Sequence, residues 1–103
     1  MEDNMDIKIH SIRFDADEKL LEFITSKIRK LIQFYDDIIG AEVFLRLDHS
    51  QDLENKLVEI KLSIPGSELF AKKQSKTFEE STDLCVEALR RQIRKHKTKL
   101  KRA

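Results

Sequence analysis

After the last acidic residue, Glu87, the chain places Arg90, Arg91, Arg94, Lys95, Lys97, Lys101 and Arg102 at intervals of one to four residues. On a helix turning about 100° per residue, all seven fall between about 80° and 240° from Leu89. Cations gathered on half a cylinder with no acidic neighbours repel one another, and regularly spaced phosphates relieve that repulsion. Phe78, Cys85, Ile93, His96 and Leu100 lie within about 40° of Leu89, with Val86 at about 60°, which makes the other half of the helix a core-facing stripe. Lys27, Arg29 and Lys30 form a smaller basic group earlier in the chain.

The remaining chemistry-bearing residues converge less well. His10, His49 and His96 share no short metal-ligand spacing with one another or with Cys85. There is no glycine-rich phosphate loop, nucleophile elbow or zinc motif. Asp36-Asp37 and Glu79-Glu80 are adjacent pairs, and neighbouring side chains on a helix or turn point apart, which disfavours general acid/base work. Cys85 on an apolar stripe reads as a small core hydrophobe, and His96 as a partly buried spacer. No enzyme activity, cofactor, metal or small-molecule substrate is expected.

The elements that position these residues are legible from periodicity. Asp6 to Phe14 reads as a strand with a bulge or a run-out, since Ile7 and Ile9 share one parity and Ile12 and Phe14 the other. Asp15 or Asp17 caps a helix whose buried face is Leu21, Ile24, Ile28, Leu31, Ile32 and Tyr35, with Lys19, Ser26, Lys30 and Gln33 opposite. Asp36-Asp37 and then Gly40 are expected to end it. Ala41, Val43, Leu45 and Leu47 alternate with polar residues, as do Val58, Ile60, Leu62 and Ile64, and Leu69 with Ala71 forms a shorter strand. Pro65-Gly66 makes a tight turn, so these strands pair as antiparallel hairpins. Thr77 and Glu80 have capping-box spacing and open a helix from Phe78 to about Leu100.

The expected fold is α+β, in the order β-α-β-β-β-α, with two helices on one face of a four-stranded sheet. At 103 residues the chain is expected to be a single domain, 1-103, with 1-5 and 101-103 expected to fray. Apolar residues make up 40% and charged ones 38%, the balance of a globular protein with a wet surface. No apolar run exceeds Ile38 to Ala41, where a membrane span needs roughly 20 residues. The acidic opening lacks the basic and apolar regions of an export signal, and a lone Cys suits a reducing compartment, so a cytoplasmic location is expected. Residues 84-103 hold eight Lys/Arg and a single Glu, a charge of +7, which leaves −6 for the first 83 residues of a chain whose total is +1. An acidic body with one basic element favours a specific polyanion over indiscriminate binding. Helix-dipole stabilisation with solubility, and attraction to an anionic membrane, remain alternative readings of the basic face, the last disfavoured because the apolar stripe is needed by the sheet.

The stretch Ile9 to Tyr35, the strands closing on Ile64-Pro65-Gly66, and Leu84 to Lys97 together resemble the ribosome hibernation promoting factor and ribosome-associated inhibitor family over about residues 7 to 101. Leu89 to Lys97 is similar to that family's L-x-R-Q-[LI]-x-K-x-K pattern. The resemblance implies a fold similar to double-stranded-RNA-binding domains and binding to the small ribosomal subunit and its rRNA near the decoding centre. There the protein would block messenger and transfer RNA sites and keep ribosomes inactive and protected, in a stress-response, stationary-phase role. It implies RNA contacts from Lys27 and Lys30 on the first helix and from Arg91, Gln92, Lys95 and Lys97 on the second. Arg90 and Arg94 join this surface by geometry. Two departures stand out: the opening of the second helix reads Thr77-Phe78-Glu79, without an aromatic at 79, and a chain ending at Ala103 looks like the short form. A free monomer is expected. A general double-stranded-RNA module, or a protein-interaction domain using an open sheet edge, are the alternatives.

Overall fold

The computed structural model describes residues 6-48 and 53-102, with side chains as far as Thr98. The elements are β1 (Asp6–Ser11), α1 (Glu18–Phe34), β2 (Gly40–Leu47), β3 (Lys56–Ile64), β4 (Ser67–Ser75) and α2 (Phe78–Arg102). The sheet runs β1-β2-β3-β4. β1 lies parallel to β2, with Ile9 opposite Val43, because α1 carries the chain back across the sheet between them. β2, β3 and β4 are antiparallel, with Val43 opposite Ile60 and Ile60 opposite Ala71. Gly66 adopts φ +75° in the turn joining β3 to β4, where L residues are strained.

One face of the sheet takes both helices. Val43, Leu45, Val58, Ile60 and Leu62 are fully buried beneath Ile24, Ile28 and Leu31 of α1 and Cys85, Leu89 and Ile93 of α2. Each large apolar side chain so buried contributes about 1.5–3 kcal/mol. α2 also docks through Phe78, whose ring stacks on Phe14 at 5.1 Å between centroids, while Glu79 beside it is exposed.

The structure decides between the local alternatives, with Asp17 as cap and a run-out of β1, and revises other expectations. The buried stripe of α1 centres on Leu20, Ile24, Ile28 and Leu31, while Leu21 and Ile32 are only partly covered. Asp17 is the N-cap, its carboxylate accepting from the Leu20 N–H at 2.9 Å. The helix stops at Phe34, with Tyr35 extended as C-cap. Gly40 starts β2 rather than capping the helix, and a Cβ there would lie 3.4 Å from the Asp6 carbonyl oxygen. β1 ends at Ser11 without a bulge, although the Ile12 N–H still reaches the Leu45 carbonyl. Leu47 is exposed at the end of β2, and β4 is longer than expected.

Fully buried Ser81 and Thr82 lie within the sheet-facing side of α2. Ser81 Oγ donates to the Lys56 carbonyl at 2.6 Å and sits 2.9 Å from Ser75 Oγ, pinning the start of α2 to the ends of β3 and β4. Thr77 Oγ1 accepts from the Glu80 N–H, one half of the expected capping box.

Candidate nucleic-acid interface

Helix α2 is divided by charge. Glu79, Glu80, Asp83 and Glu87 occupy its first ten residues, and Arg90, Arg91, Arg94, Lys95 and Lys97 follow without an acidic residue among them. This order complements the helix dipole, which favours anions near the N-terminus and cations near the C-terminus. None of those five cations forms an ion pair with a described carboxylate, in contrast to the cations on the open face of the sheet. There Lys61 approaches Glu42 and Glu68, Lys72 and Arg46 approach Glu59, and Lys8 approaches Asp6. Lys101 and Arg102 have no described side chains.

Packing sorts the site residues by direction. Arg90 and Lys97 turn toward α1, where the Arg90 guanidinium lies 5.3 Å and the Lys97 ammonium 5.1 Å from the centre of the Phe34 ring. Gln92 turns toward β4 and donates from Nε2 to the Phe70 carbonyl at 2.8 Å, covering part of that strand's free edge. Arg91, Arg94 and Lys95 point outward between these flanks and are exposed. On α1, Lys30 is exposed, while Lys27 lies over the Phe23 ring and pairs with Asp83 of α2 at 3.0 Å. That pair is partly solvated, with side-chain exposures of 32% and 51%, and so contributes under about 1 kcal/mol.

The groove between the helices, about 370 Å³, is lined by Lys27, Lys30, Asp83, Val86, Glu87 and Arg90. Two carboxylates, Asp83 and Glu87, therefore share this groove with Lys27, Lys30 and Arg90. The strongly cationic surface is instead the outer side of α2 from Arg90 onward, with Lys30 at its margin. A hollow of about 640 Å³ runs along α1 between Glu18 and Gln33 and gathers no convergent chemistry.

The candidate catalytic groups are engaged elsewhere. Cys85 is fully buried and its thiol lies 3.3 Å from the Val58 carbonyl; burial pushes its pKa up to about 12. His10 stacks on Phe44 across the open face and contacts Glu42 at 2.9 Å. His96 meets Tyr35 edge-on at 6.2 Å. Burial, and then the Asp37 and Asp36 carboxylates, raise the Tyr35 phenol above its ordinary value. His49 lies outside the described residues. No cluster of metal-ligating side chains occurs among the described residues.

Sequence reasoning placed Tyr35 on a buried face but gave neither it nor Asp83 and Phe34 a part in the site. Consecutive aromatics at the end of α1, opposite Arg90 and Lys97 at a spacing of seven, are the signal that would have found Phe34 and Tyr35.

Residues 7–101 match the family model described as "Sigma 54 modulation protein / S30EA ribosomal protein". The chain is 31% identical over 100 residues to the ribosome hibernation promoting factor of Escherichia coli, covering 94% of this chain and 98% of that protein. It is 31% identical over 98 residues to the ribosome hibernation promotion factor of Bacillus subtilis, covering 95% of this chain but only 51% of that longer protein. A ribosomal subunit interface protein from Coxiella burnetii shares the fold with a TM-score of 0.81 at 22% identity, over 91% of this chain and 99% of that one. The N-terminal domain of Thermus thermophilus Protein Y does so with a TM-score of 0.76 at 19% identity, over 89% and 99% respectively.

Proposed function

This chain belongs to the sigma 54 modulation protein / S30EA ribosomal protein family, and from that premise we propose that it is a ribosome hibernation factor acting without catalysis or cofactor. It binds the small ribosomal subunit through rRNA near the decoding centre, blocks the messenger and transfer RNA sites, and holds the ribosome idle and protected. It works in the cytoplasm as a monomer until it meets the subunit.

The observation that carries this reading is the exposed trio Arg91, Arg94 and Lys95, flanked by Arg90 and Lys97, with no described carboxylate paired to any of them. Cations left unpaired by the fold are available to phosphates, and each phosphate neutralised releases counterions. Folded RNA is recognised largely by shape and backbone, which suits a convex basic helix. The carboxylates of the first turns of α2 repel RNA that extends past Arg90, so the acidic half limits the footprint.

The test is cosedimentation with purified small ribosomal subunits in moderate salt, comparing the wild type with an Arg91→Ala, Lys95→Ala, Lys97→Ala variant. Loss of association by the variant is expected, whereas unchanged association overturns the site. Competition with free RNA duplex separates subunit recognition from general duplex binding: intact subunits should win.

A further inference from the structure

Two cations seven residues apart on α2 converge on one aromatic ring of α1. Arg90 and Lys97 are two turns apart, about 10.5 Å along the helix axis. The guanidinium nevertheless lies 5.3 Å and the ammonium 5.1 Å from the centre of Phe34, and the ammonium is also 5.6 Å from the centre of Tyr35. Like charges do not gather at one point without a counterweight; neither cation forms an ion pair with a described carboxylate, and the Asp36 and Asp37 carboxylates act on the Tyr35 side of the platform only. The negative ring faces supply the counterweight, since a ring quadrupole attracts a cation lying over it. The platform is itself fixed: Phe34 is partly buried as the last residue of α1, and Tyr35 is buried and braced by the edge of His96. Arg91, Arg94 and Lys95 have no such support.

We infer that Phe34, assisted by Tyr35, is a positioning residue for the nucleic-acid interface, holding Arg90 and Lys97 in their phosphate-binding arrangement before RNA arrives. This rests on the reading of that surface under Proposed function. A long flexible side chain already held against a ring loses less freedom when a phosphate captures it, so the ring raises affinity without itself touching RNA. Because the number of phosphates neutralised is unchanged, removing the ring leaves the salt dependence unchanged. Removing a cation reduces it.

The experiment measures binding to purified small ribosomal subunits across a salt series for the wild type, Phe34→Met, Phe34→Tyr and Lys97→Ala. Methionine keeps apolar bulk without a ring, and tyrosine restores the ring; thermal unfolding verifies that each variant is folded. Phe34→Met is expected to bind about five- to tenfold more weakly with the wild-type slope. Phe34→Tyr should stay within about twofold of wild type. Lys97→Ala should weaken binding and lower the slope by about one. In free Phe34→Met, the Arg90 side-chain order parameter measured by NMR should fall.

Equal weakening by Phe34→Met and Phe34→Tyr, wild-type affinity in Phe34→Met, or undiminished Arg90 order overturns the positioning role while the interface stands. Should Lys97→Ala change neither affinity nor slope, the interface reading falls and the role of Phe34 with it.

Discussion

Replacing Ser81 by Ala removes one oxygen and leaves the packing volume nearly unchanged, so the loss of stability isolates the hydroxyl. Two hydroxyl protons serve three contacts here: Ser81 Oγ to the Lys56 carbonyl at 2.6 Å, Ser75 Oγ to the Thr77 carbonyl at 3.1 Å, and the two hydroxyls to each other at 2.9 Å. The shortest contact assigns the Ser81 proton to Lys56, leaving the Ser75 proton shared between Thr77 and Ser81. Ser81→Ala therefore leaves the Lys56 carbonyl without this donor, while Ser75 turns fully to Thr77. The expected loss is about 1–2 kcal/mol, which lowers the unfolding temperature by about 4–8 °C per kcal/mol in a domain of this size. Ser75→Ala leaves the Ser81–Lys56 bond intact and should remove less, under about 1 kcal/mol. Urea denaturation of both single variants and the double variant measures the order and the coupling. The reverse order, or strict additivity, would refute the proton assignment.

Cys85 and Tyr35 both hold their protons more tightly folded than unfolded, the first because burial raises it from an ordinary 9.0 to about 12, the second from above 10.0 for the same leading reason. Their contribution is intact at neutral pH and is lost as pH climbs from about 9 toward 12, where the unfolded chain gives up protons first. The urea midpoint should fall over that range, less steeply in Cys85→Ala; a flat midpoint contradicts the burial of these groups. Native Cys85 should also resist thiol reagents at neutral pH until the protein unfolds, and rapid stoichiometric labelling would show it accessible. Gly66→Ala meets no atom within 4 Å, so its whole effect is the left-handed φ of +75°, about 1–2 kcal/mol by urea denaturation, and Gly66→Asn should recover part of it.

Short-range periodicity carried most of the fold. Val58 to Ile64 alternates strictly, and a period of two admits one buried face, so β3 was readable residue by residue, whereas the exposed Leu47 at the end of β2 and the full length of β4 were not. The helix on the same face is less determined. Leu20 and Leu21 are adjacent and equally apolar, and which one faces the core depends on how α1 sits on a twisted sheet. Ser75 and Ser81 look like surface residues in sequence, and become core residues only because the topology brings strand-end carbonyls to the start of α2. The cationic side of α2 was legible because it depends on one element alone. The neutralisation of Lys27 by Asp83, the engagement of Gln92 by β4 and the convergence on Phe34 depend on two elements meeting, which local spacing does not encode.

Whether the outer side of α2 holds phosphates is tested most directly by the salt dependence of binding to small ribosomal subunits. The measurement compares the wild type with the double substitution Arg91→Ala, Lys95→Ala at matched protein fold. A slope of log K against log salt that is shallower by about two is the expected result, one unit for each phosphate contact removed. An unchanged slope contradicts the assignment of these cations to RNA.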